Sequence, residues 1–133
     1  MTALANAMQK RHVYNNIRIS NSTVGVLNTG DLARIDAVIT LTKDTDVEAI
    51  GDILKNLTQA VIDARDIEKK VKKDLIELIQ SLAEQIVGSQ GPRKPSVIIT
   101  LLRGIEERAK GIVAISAVVH QLGTVVMKMF GGG

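Results

Sequence analysis

At 133 residues the chain holds one domain's worth of material, enough for a core of its own yet small enough that a partner could complete its burial. Its 45% hydrophobic content excludes a disordered or collagen-like chain, and its 2% aromatic content demands an aliphatic core of the kind that suits helix packing. A net charge of +3 arises from 17 basic and 14 acidic residues, and the absence of cysteine excludes disulfides, thiolate metal sites and cysteine nucleophiles.

Residues 1–15 mix Ala, Asn, Gln and Met with no sustained period and read as a flexible arm. They lack the apolar run and cleavage site of a signal peptide, so a cytoplasmic protein is the expectation. In that compartment the sequons at Asn21 and Asn56 reduce to turn and helix chemistry.

Residues 16–43 read as β-rich. Ile17 and Ile19 alternate with polar neighbours, as do Val24 and Val26 around Gly25, and Ala37, Ile39 and Leu41 follow the same period of two. Asn21-Ser22-Thr23 and Asn28-Thr29-Gly30-Asp31 supply turns between them. The segment fits a meander or a small β-coil, and either arrangement leaves strand edges that need cover.

Residues 44–88 carry two helical stripes and read as a hairpin. Thr45 and Glu48 have capping-box spacing, and Val47, Ile50, Leu54, Leu57 and Val61 follow at steps of three and four. A second stripe runs through Ile67, Val71, Leu75, Leu78, Leu82 and Ile86, with a turn expected near Ala64-Arg65-Asp66. Residues 89–95 contain Gly91, Pro92 and Pro95 and read as a linker.

From Ser96, a candidate N-cap, residues 96–130 read as one long helix. Its stripe runs Ile98, Leu102, Ile105, Ala109, Ile112, Ser116, Val119, Gly123, Val126 and Phe130, the spacing of a coiled-coil seam. The seventeen residues from Gly111 to Met127 bear no formal charge, more apolar surface than one stripe requires. Ala109, Ser116 and Gly123 recur every seven residues and offer close approach to another helix, while an ordinary core role would explain the same small residues. The fold expected is therefore α+β, with N-terminal strands, a helical hairpin and a long C-terminal helix.

Chemistry-bearing residues are sparse. His12 lies in the arm and His120 stands alone in an apolar helix, where a histidine is more often structural than catalytic. The glycines match neither dinucleotide nor P-loop spacing. No catalytic residue, cofactor or metal ligand is therefore expected. Basic residues cluster at Arg65, Lys69, Lys70, Lys72 and Lys73, but Asp63, Asp66, Glu68, Asp74 and Glu77 interleave with them, and Tyr14 and Phe130 are the only aromatic residues. A solvated charged face accounts for them better than nucleic-acid readout.

The run from Ile19 to Gly30, Ile-Ser-Asn-Ser-Thr-Val-Gly-Val-Leu-Asn-Thr-Gly, followed by a strand, a helical hairpin, a basic linker and a final apolar helix ending in Phe-Gly, resembles small adaptor or effector-associated modules of bacterial conflict, or immune signalling, systems. The resemblance implies homotypic association or adaptor duty, with another signalling protein as a further partner and no catalytic residues. The expected oligomer interface comprises Ile105, Ala109, Ile112, Ser116, Val119, Gly123, Val126 and Phe130 together with the strand edges. The alternative is a membrane-associated or membrane-perturbing protein that uses residues 111–127.

Overall fold

The computed structural model describes residues 14–19, 29–88 and 93–131. These residues form five helices and no strand: α1 (Thr29–Thr42), α2 (Glu48–Asp63), α3 (Lys69–Val87), α4 (Pro95–Ala109) and α5 (Val113–Phe130). The helices close into a ring in which α1 packs on α2 and α3, α3 on α4, α4 on α5, and α5 on α2; α2 and α3 also meet. A single aliphatic core fills the ring, and Leu32, Ile35, Leu54, Leu57, Leu75, Ile79, Leu102 and Leu122 are fully buried. Burying each such side chain stabilises the fold by about 1.5–3 kcal/mol before the entropic cost of ordering it.

The expected α+β fold is overturned by α1. Alternation would put Ala37, Ile39 and Leu41 on one face, yet Ile39 is 2% exposed while Leu41 is 62% exposed. The face that is buried joins Leu32, Ile35, Val38, Ile39 and Thr42, a helical spacing. Strand propensity in this β-branched stretch gives way because only the helix presents that face to both α2 and α3.

Residues 14–19 are not a strand either, although their alternation is real: Ile17 is buried, Ile19 half-buried and Arg18 exposed. Their backbone is bonded by side chains instead of by a neighbouring strand. The Asp36 carboxylate accepts the Asn15 and Asn16 N–H groups at 3.0 and 2.7 Å, and the Gln59 amide both accepts from Arg18 N (2.8 Å) and donates to Arg18 O (2.9 Å). Asn16 Nδ2 reaches Asp36 O and Thr40 Oγ1. Hydrophobic alternation records which side of an extended segment is buried, not what satisfies its backbone. Val24 and Val26 lie outside the described residues.

The long C-terminal helix is also corrected. The chain breaks after Ala109, where Gly111 takes a φ of +79°, a left-handed conformation that glycine adopts without a Cβ clash. The break interrupts the stripe, although its Val119, Gly123 and Val126 remain buried. Ile115, Val119, Leu122 and Val126 face the core of α5, whereas Ser116, which the uninterrupted stripe would bury, is exposed.

Local end chemistry departs from the capping expectations as well. Thr45 Oγ1 accepts the Val47 N–H at 3.2 Å and donates to Thr42 O, so Thr45 shapes the turn before α2 without forming the expected box; the N-cap is Val47. At α4 the proline at the first helical position moves the N-cap to Lys94 and leaves Ser96 inside the helix.

Where α1 crosses α2 the backbones approach closely: a Cβ on Gly51 would lie 1.9 Å from Thr42 Oγ1 and 2.8 Å from Thr42 Cβ. Between α2 and α3, the buried Lys72 donates its ammonium protons to Ile62 O (3.2 Å) and Ala64 O (2.6 Å), satisfying carbonyls at the end of α2.

Candidate interaction surface

Helix α5 is the most apolar of the five by composition, with a mean hydropathy of 1.5, and only 28% of it is buried. Its inner face supplies the core. Its outer face carries Val113, Ala114, Ala117, His120, Gln121 and Thr124, all exposed, and Val113, Ala117, His120 and Thr124 follow at steps of four, three and four. The one formal charge on the helix is Lys128, in its last turn.

The hydroxyls on α5 are turned inward on their own backbone. Ser116 Oγ donates to Val113 O at 3.3 Å and Thr124 Oγ1 to His120 O at 3.1 Å. Each hydroxyl proton is thereby used within the helix, so the face presents mainly methyl groups to solvent. The side chains of His120 and Gln121 make no hydrogen bond among the described residues and stand as the polar groups a partner would meet.

The residues expected to form an oligomer interface divide into two sets. Ile105, Ala109, Val119 and Val126 lie in the core of the single chain. Gly123 is also buried, and a Cβ there would meet the Glu106 carboxylate at 3.0 Å, so its smallness serves the approach of α5 to α4. Ser116 is exposed, while Ile112 and Phe130 are half-buried. Phe130 lies beneath the Arg93 guanidinium, 5.8 Å from ring centroid to Cζ, and Arg93 also approaches Asp46 at 3.7 Å.

Sequence reasoning missed Ala114, Ala117 and Thr124, which the assumed continuous stripe placed on the far side of the helix. The signal for the helix break lies in Gly111, preceded by Lys110, a place for a C-cap.

Among the described residues no group of three His, Asp or Glu side chains gathers as a metal site would. His120 stands exposed on α5, and His12 lies outside the described residues. No family model, curated protein or solved structure matches the chain.

Proposed function

We propose that this protein is a non-enzymatic assembly module in which the outer face of α5 packs against the same face of a second copy. The observation that carries this reading is the exposure of Val113, Ala114, Ala117, His120, Gln121 and Thr124 on one face of an otherwise core-forming helix, a face free of formal charge until Lys128 in the last turn. Small side chains there favour a helix over lipid as the covering surface. Alanine and threonine let a second backbone come close, whereas insertion into a bilayer draws its energy from large apolar side chains, of which this face has Val113. A two-fold pairing would bring His120 and Gln121, which flank the middle of the helix, near their counterparts, where they can bond one another.

The resemblance of residues 19–30 to conflict-system adaptor modules points to the same homotypic duty. Helix α5 does have the length of a short membrane span, about 27 Å for 18 residues. Spanning a bilayer would, however, withdraw Ile115, Val119, Leu122 and Val126 from the core.

Light-scattering mass in detergent-free buffer tests the proposal. The wild type should give a defined multiple of 14.3 kDa. Ala117→Glu, a change at an exposed position, should give a folded monomer. A monomeric wild type overturns the reading, and recovery only with detergent or liposomes transfers the same face to lipid. Gly123→Leu is unsuitable for this purpose because it would separate α4 from α5 within one chain.

A further inference from the structure

The surface formed by α1 and α2 has the attributes of a peptide receptor. It holds residues 14–19 through side chains that reach out from completed helices: Asp36 and Thr40 from α1 and Gln59 from α2. Most of these bonds go to backbone N–H and C=O groups and so demand only an extended conformation. Two demands are specific. Asn16 places its amide on Asp36 O and Thr40 Oγ1, and Ile17 is 2% exposed. The site therefore reads an extended peptide of the form Asn-Ile, with backbone contacts on both sides. Beside it lies an open cleft of about 610 Å³ whose walls include Ile19, Asn56 and Gln59.

We propose that this surface is a peptide-binding site, filled here by the chain's own residues 14–19, and that it accepts the same segment from a second copy. The segment contains no helix or strand, so it leaves its seat without unravelling any element. Residues 20–28 separate it from α1, and a second copy presents the same Asn-Ile sequence to the same bonds. Own-chain docking is favoured at low concentration because a short tether holds the segment at a high effective concentration, and exchange between copies grows as the chain concentration approaches that value. The inference is independent of α5.

The test uses the full chain, which has no cysteine of its own. One population carries Ile19→Cys with Gln59→Ala, weakening its own seat; the other carries Asn56→Cys with Ile17→Asp, leaving its seat open. Ile19 and Asn56 line one cleft, so docking between copies brings the two thiols together. The mixed disulfide, measured by mass spectrometry, should exceed by roughly tenfold that of a mixture whose second population also carries Asp36→Ala, the loss expected for about two hydrogen bonds. It should be unchanged by Ala117→Glu in both populations, which separates this site from α5. Equal cross-linking with and without Asp36→Ala overturns the proposal. A second measurement guards against poorly folded variants: a fluorescent peptide of residues 14–19 should bind the Ile17→Asp chain, and a peptide with Asn16→Ala and Ile17→Ala should bind roughly tenfold less. Equal binding of the two peptides overturns the proposal as well.

Discussion

The α1–α2 surface and the outer face of α5 solve opposite problems. The first projects polar side chains outward, and each finds a partner in an extended segment: Asp36 takes two N–H groups and Gln59 the backbone N–H and C=O of Arg18. The second folds its hydroxyls back onto its own carbonyls and leaves a face of mostly small side chains exposed in the single chain. Directional bonds specify a particular ligand in a particular register, whereas a smooth face of small side chains specifies close approach and little else. Affinity at the first surface should therefore be sensitive to single polar atoms, and at the second to bulk and charge.

The largest effect should come from breaking the helix crossing beneath the first surface. Gly51→Ala places a methyl group within 2 Å of Thr42 Oγ1, and Thr42 Cβ is too near to yield by a rotamer change alone. Destabilisation of about 2–3 kcal/mol is expected in urea unfolding. Gly123→Ala gives the comparison at α5: its methyl meets the far end of the flexible Glu106 side chain and should cost less than about 1 kcal/mol. Equal costs would show that the two crossings are not packed differently.

Next in size is Asp36→Ala, which leaves the Asn15 and Asn16 N–H groups without their carboxylate. A loss of about 2 kcal/mol is expected, since bonds to a charged group are among the stronger ones. Hydrogen exchange should localise the effect, with the Asn15 and Asn16 amides losing protection while those of α5 keep it. Uniform loss across the chain would mean that the segment and the helix ring unfold as one unit.

How far the sequence disclosed these regions depended on what interrupts a pattern. The stripes of α2 and α3 were legible because their apolar spacing runs unbroken from end to end, and Ile50, Leu54, Leu57, Leu75, Leu82 and Ile86 are all buried. Helix α1 was not, because Ala37, Ile39 and Leu41 satisfy a period of two over five positions; the longer spacing from Leu32 to Thr42 distinguishes helix from strand. In α5 the expected stripe holds at Val119, Gly123 and Val126 and fails at Ser116, which is exposed just after the chain turns at the left-handed Gly111. The Asp36 and Gln59 contacts had no local signal at all, since they join residues 20 to 41 positions apart.

A subtler effect concerns pH. Burial lowers the Lys72 pKa from its usual 10.5, against a smaller opposing pull from Asp63, while burial and then the charge of Asp36 raise that of Tyr14 above 10.0. Between its lowered value and 10.5 the unfolded chain holds more protons at Lys72 than the folded one, so this residue makes stability rise with pH. Tyr14 acts oppositely: above pH 10.0 the folded chain keeps a proton that the unfolded chain releases, and stability falls. The difference between wild type and Lys72→Met should therefore shift in favour of the wild type as pH climbs toward 10.5. The difference from Tyr14→Phe should shift against it above pH 10.0. Only the second titration belongs to the docked segment, so the two variants separate loosening of that segment from changes in the helix ring.

The smallest predicted change lies in the helix that backs both surfaces. Thr58 in α2 is fully buried, and its Oγ1 has no hydrogen-bond partner among the described residues. A buried hydroxyl without a partner forfeits the hydration it had in the unfolded chain, whereas valine fills nearly the same volume with a methyl group in its place. Helix propensity hardly distinguishes the two residues, so the desolvation term decides the sign. Thr58→Val should stabilise the chain by about 0.5–1 kcal/mol in urea unfolding. Because α2 packs on both α1 and α5, the gain should tighten the framework without adding a group to either surface. Light-scattering mass and cross-linking between copies should then match those of the wild type. A destabilised variant would show instead that the hydroxyl has a partner in the folded protein, and a changed oligomeric mass would show that the packing of α2 sets the position of α5.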